Sequence, residues 1–133
     1  WFGSDVGQSS DRQLGIMDTN IYKKDDLFNT DFTMTKAERL DYGESLMTHA
    51  MVLTGVDIVD GKPTKWKVEN SWGDKVGDKG YFVASDSWFD EFVYQVVISK
   101  KYLSADLQDV IKNEYDKPTV LAPWDPMGAL ASK

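Results

Sequence analysis

The sequence predicts a β-rich α+β fold with helices at its margins. Three features carry that expectation. Ala50–Val59 and Phe92–Ile98 are apolar, β-branched runs of strand rather than helix length. Thr64–Asn70 alternates, with Trp66 and Val68 on one side and Lys65, Lys67 and Glu69 on the other. Two helix starts are marked by their caps: the box Thr35-Lys36-Ala37-Glu38, and Ser104 ahead of an amphipathic stretch.

Taken in order, Trp1–Ser4 reads as a short strand and the rest of the first 34 residues as loop. Asp5-Val6-Gly7, Asp25-Asp26 and Asn29-Thr30-Asp31 mark its turns. A helix over Lys36–Tyr42 follows the capping box and ends at Gly43. Ala50–Val59 is expected to be a buried strand, turned by Asp60-Gly61-Lys62-Pro63 into the strand Thr64–Asn70. Asn70 keeps the parity of Trp66 and Val68, so it should emerge on the inward face. Gly73, Gly77 and Gly80 punctuate a loop before the strand Tyr81–Ala84, and Trp88-Phe89 leads into the run at Phe92–Ile98. The four strands fit an antiparallel, barrel-like sheet. A last helix spans Ala105–Tyr115, with Asp106 in its first turn and Leu107, Val110 and Ile111 on one face. Pro118, Pro123 and Pro126 then break regular structure, and the apolar stretch 117–133 is expected to dock as a C-terminal arm.

With 133 residues and 15.1 kDa, the chain is one domain's worth of sequence or a piece of one. It carries 22 acidic against 15 basic residues, a net charge of -7, and Arg12 and Arg39 are its only guanidiniums. Nucleic-acid binding, which rests on cations neutralising phosphates, is not expected of this segment. No apolar run reaches the roughly 18 to 20 residues of a membrane-crossing helix. Cysteine is absent, which excludes disulfides, thiolate zinc sites and a thiol nucleophile within these residues, and fits a reducing compartment. The acidic pairs Asp57 and Asp60, and Asp74 and Asp78, lack EF-hand spacing, so no metal or other cofactor is expected. The chain opens on Trp1-Phe2-Gly3, which reads like the inside of a strand, so it is expected to be a piece of a longer protein.

His49 is the only histidine. A hairpin of antiparallel strands can bring it beside Asn70 at one end of the pair. An amide oxygen accepting one ring N–H would fix the imidazole's tautomer, leaving the other nitrogen to deprotonate a nucleophile. Spacing alone also allows an ordinary structural histidine and a turn-forming asparagine.

The surrounding residues are more specific. Glu69-Asn70-Ser71-Trp72-Gly73, followed by Gly77 and Gly80-Tyr81-Phe82, resembles the asparagine motif of papain-like cysteine peptidases. Thr48-His49-Ala50-Met51 resembles their histidine motif. Trp1–Gly7, Lys36–Met51, Lys65–Tyr81 and Ala122–Ala131 are similar, more narrowly, to the bleomycin hydrolase family, whose bacterial members are called aminopeptidase C. The resemblance implies that 1–133 is the C-terminal, β-rich part of a two-domain papain-like enzyme, a cytoplasmic cysteine aminopeptidase acting on peptides and assembled as a hexamer. It implies that His49 is the general base, Asn70 its orienting partner and Trp72 a shield over their hydrogen bond. The family's nucleophilic Cys and its oxyanion-hole Gln belong upstream, so this chain alone is expected to be inactive. The resemblance also implies that Gly128, Ala129, Leu130 and Ala131 lie in the substrate groove and that a terminal carboxylate near Ala131 anchors the substrate's α-amine. Ser132 and Lys133 extend past the match. The competing reading is a non-catalytic β-rich binding module, with Trp66, Trp72 and Trp88 as an aromatic platform.

Overall fold

The computed structural model describes residues 1–113, 120–122 and 125. Its strands are β1 Phe2–Ser4, β2 Ser10–Asp11, β3 Ile16–Met17, β4 His49–Val59, β5 Lys62–Glu69, β6 Tyr81–Ser85 and β7 Val93–Val96. Its α-helices are α1 Lys24–Phe28, α2 Lys36–Asp41, α3 Asp86–Phe92 and α4 Ala105–Lys112, with one 3-10 turn at Lys100–Tyr102.

The strands form one sheet in the order β2-β3-β6-β5-β4-β1-β7. Pairing is antiparallel except between β3 and β6, where Ile16 faces Val83 and Met17 faces Ala84 in parallel. The expected wholly antiparallel sheet is therefore mixed. The chain leaves β3 and returns to β6 only after α1, α2 and the β4–β5 hairpin, the kind of long connection that a parallel pair needs.

Phe2, Met17, Met51, Val68, Phe82, Ala84 and Val93, from six of these strands, share one buried cluster with Trp88 and Phe92 of α3. Neighbouring strands lie about 4.8 Å apart, so β3 and β7 would be about 24 Å apart in a flat sheet, beyond side-chain reach. The sheet must curl around α3. The barrel-like sheet expected from the sequence is found as a half-barrel, with β2 and β7 at its two ends.

Several details depart from the sequence reading. Ala50–Val59 is not buried throughout: Met51 is 1% exposed, but Val56, Ile58 and Val59 are 45%, 59% and 52% exposed. β1 flanks β4 only at His49–Met51, and the hairpin outruns β6 beyond Lys65, so its far end projects. The turn itself is the two residues Asp60 and Gly61, with φ of 51° and 77°. Both central residues being left-handed marks the tight hairpin type that suits twisted strands, and Lys62 and Pro63 already belong to β5. Pro63 is tolerated because it pairs with Ile58, where the register shifts.

Residues 86–92 fold as a helix, not as an approach to a strand. The Ser85 side chain accepts from the Trp88 N–H at 3.2 Å and caps it. Within the first 34 residues, β2, β3 and α1 interrupt the expected loop. The capping box forms as expected, with Thr35 Oγ1 accepting from Glu38 N–H and the Glu38 carboxylate accepting from Thr35 N–H. α4 ends at Lys112, where Asn113 turns to an extended conformation, short of the expected Tyr115, and its Leu107, Val110 and Ile111 are exposed. Residues 128–131 of the expected arm lie outside the described residues.

Candidate active site

His49 opens β4, and its backbone sits opposite Ser4 of β1. The segment before it is held by a buried carboxylate. Asp5 Oδ2 accepts from Ser45 Oγ at 2.8 Å and from Leu46 N–H at 3.2 Å, and Oδ1 accepts from Thr48 Oγ1 at 3.4 Å. The Tyr94 hydroxyl lies 2.6 Å from Ser45 Oγ. Thr48 N–H donates to Ser4 O at 2.9 Å. Asp5 is 7% exposed, and its three donors offset the cost of burying its charge.

Asn70 lies one residue past β5, where its N–H donates to Gly80 O at 3.1 Å. Its Oδ1 accepts from Ser71 N–H at 2.8 Å and lies 2.9 Å from His49 Nε2. The backbone donor identifies that atom as the amide oxygen, because an NH2 group could not accept from Ser71. His49 must then donate from Nε2, so Nδ1 is the basic nitrogen. The tautomer follows from Ser71 N–H.

Trp72 stacks on the imidazole, with ring centroids 5.0 Å apart and planes 26° apart, and meets Phe82 edge-on at 5.7 Å. The Arg12 guanidinium carbon lies 4.5 Å from the centroid of the same indole. Two close-set turns bring Arg12 there. Gly77 N–H donates to Gln13 O at 3.3 Å, and a Cβ on Gly15 would lie 2.6 Å from Gly77 Cα. Only residues without side chains permit that approach.

The structure thus brings together His49, Asn70 and Trp72, as the sequence motifs anticipated. It adds Asp5, which the sequence marked only as a turn residue, and Arg12, noted only as scarce positive charge. No spacing rule links either to His49, since each arrives through the sheet's order.

The three-indole platform does not form. Trp88 is fully buried, and its Nε1 donates to Gln8 O at 2.8 Å. Trp66 stacks on Phe89 at 4.6 Å, and its Nε1 donates to Asp86 Oδ1 at 2.8 Å. Trp72 lies apart, against the imidazole.

A family profile described as "Peptidase C1-like family" matches residues 1–128. The chain belongs to this family. It is 63% identical over 133 residues to an Aminopeptidase C of Lactobacillus helveticus, covering 100% of this chain and 30% of that protein. It is 65% identical over 134 residues to an Aminopeptidase C of Streptococcus thermophilus, covering 100% and 29%. An Aminopeptidase G of Lactobacillus delbrueckii subsp. lactis is 51% identical over 125 residues, covering 94% and 28%. A crystal structure of PepW from Lactobacillus rhamnosis HN001 superposes with a TM-score of 0.94 at 94% identity, covering 98% of this chain and 29% of that one. The Peptidase C1-like chain therefore spans about 30% of the length of these curated relatives and corresponds to their C-terminal portion.

Proposed function

We propose that this chain supplies the base-bearing part of a cysteine aminopeptidase, with the nucleophilic Cys and an oxyanion-hole Gln contributed by residues upstream of Trp1. The observation that carries the proposal is the hydrogen bond from His49 to an amide oxygen fixed by Ser71, which makes Nδ1 the free base. In the reaction, a thiol passes its proton to His49 Nδ1, giving a thiolate–imidazolium pair. The thiolate attacks the scissile carbonyl, and Nδ1–H protonates the departing amine as the C–N bond breaks. Nδ1 then takes a proton from water, whose oxygen attacks the thioester and releases the thiolate. Asn70 holds the ring throughout, and Trp72 covers one of its faces.

Nothing in these 133 residues replaces the thiol, because cysteine is absent and no serine sits in a nucleophile-elbow sequence. The isolated chain is accordingly inactive. Peptides with a free α-amine are the proposed substrates, held by the arm at Gly128, Ala129, Leu130 and Ala131. Cytoplasmic location and a hexameric assembly complete the reading. Among the described residues no helix is long and apolar enough to cross a membrane. Trp1, Val96 and Val97, which flank a groove beside β1 and β7, are 68%, 55% and 76% exposed. An apolar face of this kind suits packing against the upstream part of the enzyme.

The test is substitution in the complete enzyme. His49→Ala should abolish turnover, and Asn70→Ala should lower kcat by about 10- to 100-fold with little change in KM, as expected for a group that orients a base. Full activity in His49→Ala would overturn the assignment. Deleting 127–133 should admit cleavage of N-terminally blocked peptides; retained strict selectivity for free α-amines would sink the role of the arm.

A further inference from the structure

We propose that Arg12 is a positioning residue for the His49–Asn70 pair, acting through Trp72. This deepens the reading of His49 as the catalytic base and rests on it.

Trp72 belongs to the loop between β5 and β6, where it is half-buried and packs against the edge of the core. Phe82 supports it edge-on, and the imidazole lies against it. On the indole also lies the Arg12 guanidinium, at a distance where a cation is attracted to the ring's negative face. Among the described residues no hydrogen bond or ion pair engages the Arg12 side chain, so the indole is its one specific partner. Arg12 is itself exposed. A long exposed side chain would ordinarily wander, but its backbone does not. Leu14 N–H donates to Asp11 Oδ1 and Gly15 N–H to Asp11 O, both at 2.9 Å, which closes the turn. The turn is then locked to the Trp72 loop by the Gln13–Gly77 hydrogen bond and the touching glycines. The fold delivers the guanidinium to the indole.

The consequence falls on His49. An indole held flat against the imidazole restricts the ring's tilt, so Nδ1 points in one direction. It also keeps water from one face of the ring, and a hydrogen bond strengthens where water is excluded. Loosening the indole weakens both effects while leaving both partners of the His49–Asn70 hydrogen bond in the chain. Arg12 therefore acts on the orientation of the base rather than on substrate, and its loss should appear in kcat.

The experiment uses the complete enzyme and a free-amine peptide substrate. Arg12→Met keeps much of the side chain's length and removes its cation; it should lower kcat by about 2- to 5-fold, the range expected for one exposed cation–π contact, with KM unchanged. Arg12→Lys returns a cation to the ring and should recover most of that loss. In a Trp72→Phe background, Arg12→Met should cost much less than it does alone, because the two act in series. Trp72→Leu provides the same cycle if the Phe ring still holds the cation, and thermal midpoints of all variants report folding. A change in KM rather than kcat, a failure of Lys to rescue, or multiplicative effects in the cycle would each overturn the inference. Failure of the underlying reading is separately visible, since His49→Ala would then retain turnover whatever Arg12 does.

Discussion

Gly77→Ala should be among the costliest one-methyl changes in the chain, and its cost can be worked from its surroundings. Gly77 has φ +58°, a conformation that costs a residue with a Cβ about 1–2 kcal/mol. The new Cβ would lie 2.4 Å from Tyr81 O, 3.2 Å from Gly15 Cα and 3.2 Å from Phe82 Cδ2. Tyr81 O cannot retreat freely, because it accepts from Asp78 N–H at 3.0 Å. Overpacking of this kind adds about 1–3 kcal/mol, so the total is about 2–5 kcal/mol. Gly61→Ala is the matched control. Gly61 has φ +77° but nothing within 4 Å of the added Cβ, so it should show the backbone term alone. Gly73→Ala, at φ +85° and equally open, repeats the control inside the same loop. For a protein of this size 1 kcal/mol moves the thermal midpoint by about 3–5 °C, so Gly77→Ala should melt several degrees below both controls. The assay is thermal and urea unfolding followed by tryptophan fluorescence, with kcat/KM of the complete enzyme in parallel. Activity should fall with Gly77→Ala, because the displaced loop carries Trp72, and remain with Gly61→Ala at the remote hairpin tip. Equal midpoints for Gly77→Ala and the two controls would refute the argument from close approach.

Two further outcomes follow from the polar contacts. Asp5→Asn keeps the shape but puts an NH2 group where one carboxylate oxygen accepts, facing Ser45 and Leu46 or, flipped, Thr48. It should lower stability by about 2–3 kcal/mol in urea unfolding, and an unchanged midpoint would show that those contacts carry no weight. Glu38 has its pKa lowered below the ordinary 4.5 by the Thr35 N–H and then by the Thr35 hydroxyl. Its capping contribution should be fully present above pH 4.5 and lost as pH falls through the lower folded value. The difference in unfolding midpoint between the parent and Glu38→Gln should therefore shrink on acidification through that window, and a difference independent of pH would count against the capping box.

Local features were legible in the sequence where they depend on a few adjacent residues. The Thr35–Glu38 box, the Ser104 cap and the alternation of β5 all form as read, because each is fixed by covalent spacing. The His49–Asn70 approach was legible for a related reason: a tight hairpin fixes which residues of two strands meet. What the sequence concealed depends on distant strands. The parallel β3–β6 pair involves two residues on each strand, too few to leave a periodic signal. The helix at 86–92 was hidden by its aromatic residues, which suit a strand as well as a helix, although Ser85 was an available cap. The apolar run Ala50–Val59 suggested burial, yet apolar character reports what a strand could bury and not which neighbour is long enough to cover it.

The way the site is held bears on how an active centre can be divided along a chain. Among the described residues, the contacts that orient the imidazole come from 1–94: Asp5 and Ser4, with Tyr94 against Ser45, hold the segment entering β4, Ser71 fixes the Asn70 oxygen, and Phe82 and Arg12 contact Trp72. None requires the nucleophile to be in place. On the proposed reading, the base is therefore organised before it meets the thiol, and bringing the two together need not spend binding energy on fixing the ring. The same arrangement explains why β1 lies between β4 and β7. A three-residue strand adds little to the sheet's hydrogen bonding, but from that position Ser4 and Asp5 set the direction in which the chain enters His49. The first strand of this chain is thus tied to the orientation of the base as well as to the core, where Phe2 is 2% exposed.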